Sequence, residues 1–283
     1  GASAGLPLRL KGETSSANND LARSTVAQVY AQVLKDLNEA ETELPDSYGT
    51  ALLNTTRAHK NSAIALKTRV MLAMGDYAGV ITEGNKIVSA AAPFKSSSRV
   101  AHALQADVSA VFKAPFTTSE SVFSFPMDAT NAPGTQNQLG YYWNAGNVEY
   151  VLNTGSTGIY SNAQFAATDD RKTKLTVSKT AIANSPSLTK FSGVAPFVDY
   201  VPNIRYAEVL LNLAEAEAEG GSLTRATALL KAVHERSDAA YVFPALATKT
   251  DVVKAILMER RIEFLGEGFR SNDVLRRGEP LNS

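Results

Sequence analysis

Two segments of this chain repeat the same pattern: an amphipathic run, a glycine stop, and a second amphipathic run. In N-I-R-Y-A-E-V-L-L-N-L-A-E-A-E-A-E-G-G, Val209, Leu210, Leu213, Ala214 and Ala218 recur at helical spacing and Gly220-Gly221 ends the run. Ser222 opens a second helix whose apolar stripe is Ala226, Leu229, Leu230 and Val233. A connection this short forces the two helices antiparallel. The stretch N-S-A-I-A-L-K-T-R-V-M-L-A-M-G-D-Y-A-G-V-I-T-E-G repeats the plan, and laying Gly75 on Gly221 superposes helix, turn and helix. A single hairpin cannot bury its own apolar face, so the two predict a common stack despite their distance in sequence.

Further helices are predicted over 24–43, with Ser24 as cap and Val26, Val29, Tyr30, Val33, Leu34, Leu37 and Ala40 on one face, and over 250–265. These two complete the stack. The G-D-Y turn at 75–77 resembles that of tetratricopeptide repeats, and Tyr30 and Tyr77 read as core. The expectation is a mainly α fold of stacked tetratricopeptide-like hairpins in one domain over 1–283. Its helical parts lie at about 24–90 and 203–278, with a loop-rich insertion at about 120–200.

The insertion differs in chemistry. Residues 127–160 hold two charged side chains, Asp128 and Glu149, against Tyr141, Tyr142, Trp143, Tyr150 and Tyr160, among many Gly, Asn and Thr. Long loops on a rigid helical frame carry function more often than packing. Aromatic faces stack on the C–H faces of sugars while amides satisfy hydroxyls. Tyr141, Tyr142, Trp143, Asn144, Asn147 and Tyr150 therefore form the candidate ligand site. The competing reading is that Trp143 or a tyrosine only pins the loop to the helices. T-K-L-T-V-S-K-T at 173–180 reads as a strand.

Composition excludes several function classes. Lys and Arg number 28 and Asp and Glu 28, so no basic excess calls for nucleic acid. Cysteine is absent, which removes disulfides and thiolate chemistry. No apolar run of membrane-spanning length occurs. The three histidines, His59, His102 and His234, lack ligand-like spacing, so neither a metal nor another cofactor is expected. Glu259 and Glu263 lie one turn apart on one helix face and cannot straddle a glycosidic bond. With Arg260, Arg261, Arg270 and Arg276 interleaved, they read as an ion-pair network. Glu208, Glu215 and Glu217 read as a solvated acidic edge. No catalytic constellation emerges, and the chain does not read as an enzyme.

One resemblance spans most of the chain. E-R-R-I-E-F-L-G-E-G-F-R-S-N-D-V-L-R-R-G at 259–278, R-Y-A-E-V-L-L-N-L-A-E-A at 205–216, D-D-R-K at 169–172 and G-L-P-L at 5–8 together resemble the SusD/RagB family. The resemblance implies a non-catalytic surface lipoprotein of the Gram-negative outer membrane. It would capture a glycan or other small nutrient and pass it to a SusC-like TonB-dependent transporter. Contact with the membrane would run through a lipid anchor on a cysteine that this chain does not hold. The family also implies helices ahead of G-L-P-L and a P-I-P stretch beyond 278, and it fixes no ligand residue by position. The rival reading is a tetratricopeptide-type protein-protein interaction scaffold, with its conspicuous residues along helix grooves rather than in a loop.

Overall fold

A computed structural model describes residues 1–280 except 16–18, 135–137, 145–148 and 183. Four helices form the two hairpins: α3 (Lys60–Met74) with α4 (Tyr77–Gly84), and α7 (Tyr206–Gly220) with α8 (Leu223–Glu235), after α1 (Val26–Glu43) and α2 (Ala51–Thr56). Gly75 ends α3 with φ 74°, a left-handed conformation that glycine adopts at little cost, and Asp76 then caps α4 by accepting from the Gly79 amide. Thr25, rather than Ser24, caps α1 in a reciprocal box with Gln28.

The two hairpins meet as the sequence predicts. Helix α7 packs on α3 and α4 on one side, and on α8 and α9 (Lys249–Glu263) on the other, while α1 lies on α3. Every residue from Tyr206 to Ala218 is buried, so α7 is enclosed all round. The principal core gathers Ile64, Ile87, Val122, Leu210, Leu213, Leu229, Val252 and Ile256 about it. Tyr77 packs beside Leu72, Val80 and Ala216, whereas Tyr30 stays half-buried on an α1 that has no fully buried residue.

The acidic edge read on α7 is corrected by this enclosure. Glu208, Glu215 and Glu217 are 1%, 0% and 4% exposed, and each meets an arginine. Glu208 takes a two-pronged contact from Arg69 at 2.6 and 2.7 Å, Glu215 one from Arg276, and Glu217 pairs with Arg225 at 2.7 Å. A buried carboxylate persists only when so paired.

Between the hairpins the chain forms β1 (Ser121–Phe125), α5 (Leu139–Asn144), α6 (Asp170–Lys174), β2 (Thr176–Lys179), β3 (Ser185–Leu188) and β4 (Val201–Arg205). The strand expected within 173–180 is β2, paired antiparallel with β3. Residues 201–205 are not helix, as expected from 203, but pair antiparallel with β1, through Ser121 opposite Arg205 and Phe125 opposite Val201. Arg205 thus lies where strand becomes helix. After α9 the chain turns at Gly266 and Gly268 into α10 (Arg270–Arg277).

Candidate functional site

Helix α5 sorts the candidate residues onto two sides. Gly140, Trp143 and Asn144 share its inner side, at i, i+3 and i+4. Gly140 lies so close to the 191–197 loop that a Cβ would stand 2.6 Å from the Gly193 nitrogen. Trp143 is 9% exposed and packs with Leu152, Leu188 and Phe191. The Asn144 amide donates to the carbonyls of Leu188 and Phe191, the latter at 2.6 Å, and Ser187 donates to the Trp143 carbonyl at 2.5 Å. The Trp143 ring is packed within the protein and the Asn144 amide is engaged there, and the two residues tie α5 to β3.

The remaining aromatics form a continuous strip. Phe197 contacts Tyr141 edge-on at 5.9 Å between ring centroids, Tyr141 contacts Tyr142 edge-on at 5.5 Å, and Tyr142 lies tilted on Tyr150 at 5.4 Å. Trp143 meets Tyr150 edge-on at 5.4 Å from beneath. Tyr150 is 47% exposed, and Tyr141 and Tyr142 are half-buried. The amides of Glu149 and Tyr150 donate to the Tyr142 carbonyl at 3.0 and 3.2 Å, which folds the segment back upon itself. Asn147 lies outside the described residues. Phe197 was not read from the sequence, since it stands 56 positions from Tyr141 in a segment of ordinary composition.

The carboxylates that invited comparison with a glycosidase are enclosed. Glu259 and Glu263 are 0% and 1% exposed. Glu263 accepts from Arg205 at 2.8 Å, Arg236 at 2.6 Å and Arg171 at 3.0 Å. Glu259 is bound by Arg171 and, at 2.6 Å, by His234 Nδ1. Glu120 bridges Arg205 at 2.7 Å and Arg236 at 2.8 Å, Glu267 binds Arg205 and Lys190, and Asp169 holds Arg171 at 2.7 Å. Burial opposes ionisation of Glu263, but Arg236, Arg205, Arg171 and Lys190 together hold its carboxyl well below the usual range. A carboxylate kept so firmly ionised and closed off from solvent cannot donate a proton to a leaving group. The expected network is therefore present, but its partners differ: Arg260 binds Asp273 at 2.9 Å instead, and the cations at Glu259 and Glu263 come from α6, β4 and the end of α8. Among the described residues no group of three or more acidic, His or Cys side chains is placed to hold a metal ion.

Three of the four segments that resemble a known family build this centre, through Asp169 and Arg171, Arg205, and Glu259, Glu263 and Glu267. Comparison with known proteins agrees. The SusD family model matches residues 112–282, and a second, described as starch-binding associating with outer membrane, matches residues 3–72. A SusD superfamily protein from Bacteroides fragilis is 36% identical and superposes with a TM-score of 0.82, over 98% of this chain and 60% of its own. Another, from Bacteroides thetaiotaomicron VPI-5482, is 26% identical with a TM-score of 0.82, over 99% and 61%. The surface glycan-binding protein A of Bacteroides thetaiotaomicron, solved in complex with laminarihexaose, shares the fold at 18% identity and a TM-score of 0.68, over 91% and 62%. No curated protein matches the sequence. The chain belongs to the SusD family, and it spans about 60% of the length of the first two of these solved relatives.

Proposed function

We propose that this protein is a non-catalytic binder of a neutral oligosaccharide, with Tyr141, Tyr142 and Tyr150 as its platform. The observation that carries the reading is the strip of touching rings with half-open faces on a segment nearly free of charge. Edge-to-face neighbours fix each ring, so a sugar meets a prearranged surface and pays little ordering entropy. Trp143 and Asn144 hold the platform from below, and Asn147 belongs to the same proposal. Family membership supports the ligand class, as does the glycan complex of a relative with this fold.

In the same proposal the protein sits at the outer membrane through a lipid anchor and passes its ligand to a SusC-like TonB-dependent transporter. The description of the second family model supports the membrane association. Calorimetric titration with laminarihexaose and a panel of neutral oligosaccharides tests the platform. Tyr150→Ala is expected to weaken binding of the recognised glycan about tenfold, as loss of one stacking aromatic costs ~1–3 kcal/mol on other ligands with flat apolar faces. Raising the salt should change little, because no ion pair is made. Unchanged affinity in Tyr150→Ala and Tyr142→Ala alike would remove the platform from consideration.

A further inference from the structure

A small cavity of about 50 Å³ opens at the Phe197 end of the aromatic strip. Phe197 belongs to both, and Leu139 and Gly140, also at the cavity, come directly before Tyr141 on α5. Leu139, Phe191, Phe197 and Val201 make most of the wall apolar, and Asp199 is the one charged residue among the described residues that line it. A water-sized atom needs ~10–15 Å³ of such space, so the cavity has room for about three to five non-hydrogen atoms. A whole sugar is too large for it, but a substituent on one is not.

Two features prepare this end of the strip for a ligand. The Ser192 amide and hydroxyl donate to the Asp199 carboxylate at 2.6 and 2.9 Å, which fixes its position. Two donors leave about half of a carboxylate's acceptor positions open, and Asp199 is half-buried rather than enclosed, so a ligand can reach it. Phe197 has a φ of 63°, a conformation that a bulky residue adopts at a cost and that recurs at ligand clamps. Its amide donates to the Val194 carbonyl at 2.8 Å, so the turn that presents the ring is itself hydrogen-bonded.

We infer that the cavity takes the acetamido group of a 2-acetamido sugar stacked at the Phe197 end of the platform, with Asp199 accepting from its N–H. The inference rests on the platform proposed above and names the sugar class that it favours. An acetamido group, with its nitrogen, carbonyl and methyl, has the size of the cavity, and its methyl suits walls of Leu139, Phe191 and Val201. A carboxylate substituent would meet the like charge of Asp199, and a hydroxymethyl group would bring its polar end to apolar walls. A deoxy-sugar methyl leaves most of the space empty, and an O-acetyl group has no N–H to donate.

The test compares sugars that differ only in this group: chitotetraose against cellotetraose, and the methyl glycosides of N-acetylglucosamine, N-acetylgalactosamine and N-acetylmannosamine against their parent hexosides. Affinities are read from amide chemical shifts, with ligand up to about 100 mM, a range that covers weak sites. In at least one pair the acetamido sugar should bind about tenfold more tightly, with shifts at 138–141 and 197–201. Asp199→Asn, and Leu139→Phe, which narrows the cavity from its rim, should each reduce that ratio at least about threefold. The ratio separates this inference from the platform. Its absence in a protein whose glycan binding Tyr150→Ala weakens overturns the acetamido site alone, whereas affinities untouched by Tyr150→Ala and Tyr142→Ala remove the platform. The deacetylated tetramer, whose ammonium groups Asp199 would attract, is the last control: if it binds as tightly as chitotetraose, the cavity reads a cation and the inference falls. It falls too if no acetamido sugar binds, or if the ratio survives in both Asp199→Asn and Leu139→Phe.

Discussion

Single residues in this protein matter chiefly for the charge they leave behind. Glu263 satisfies three arginines closed off from solvent, so Glu263→Gln strands cations whose removal from solvent has already been incurred. Breaking a buried pair in this way costs roughly 3–5 kcal/mol, and we expect a large fall in melting temperature, read by calorimetry, with glycan affinity unchanged in the folded fraction. Trp143→Ala opens a cavity beneath the platform and should destabilise by ~3–5 kcal/mol, measured by denaturant titration. The histidine pair makes stability depend on pH. Burial pushes His59 and His102 down from 6.5 to about 4, with repulsion from His59 adding to the effect on His102. Between those values the unfolded chain binds protons that the folded chain refuses. Stability is therefore lost as pH falls from about 6.5 to about 4, by roughly 3 kcal/mol for one such histidine. The ionised Glu259, Glu263 and Glu267 contribute above the ordinary carboxylate range and fail only at lower pH, since their folded values lie below 4.5. Unfolding followed from pH 7 to 3 should show the histidine loss first, and His102→Phe should reduce it.

Among the elements, the helices and their stacking were legible, whereas the short strands and the ion-pair partners were not. The periodic stripes and the stops at Gly75 and Gly221 predicted both hairpins, because a helix writes its buried face into a 3.6-residue repeat. Gly75→Ala should destabilise by about 1 kcal/mol, as alanine resists the left-handed conformation there; equilibrium unfolding measures this. Strand β4 escaped because V-P-N-I-R is short, holds a proline and runs directly into α7, so only its pairing with β1 defines it. The glutamates of α7 were misread because hydropathy scores every carboxylate as a surface group. The arginines that neutralise Glu208 and Glu215 lie on α3 and α10, too far along the chain for any local pattern, and Arg225, which meets Glu217, lies across the hairpin turn on α8. On α5 a signal did exist. Reading L-G-Y-Y-W-N as one helical turn and a half puts Trp143 with Gly140 and separates it from Tyr141 and Tyr142, whereas composition alone treated all the aromatics alike.

At the scale of the molecule, the stack is held by an enclosed helix. Helix α7 touches α3, α4, α8 and α9, so its burial ties the segment before residue 90 to the segment after 200. Unfolding monitored by far-ultraviolet circular dichroism and by tryptophan fluorescence should give coincident transitions, because Trp143 rests on Leu188 and Phe191 beside the ion-paired centre. Separate transitions would mean that the aromatic insertion melts apart from the helices.

The enclosure of α7 also has a consequence in time. Helix α4 ends at Gly84 and α7 begins at Tyr206, so a ribosome adding ~5–20 residues per second needs on the order of ten seconds to supply the second after the first. Throughout that interval the face of α3 and α4 that will meet α7 has no cover of its own. The hairpin of α3 and α4 should therefore bind chaperones until α7 emerges, and ribosome-bound intermediates arrested before residue 206 should be captured by hydrophobic-surface probes that ignore the finished protein.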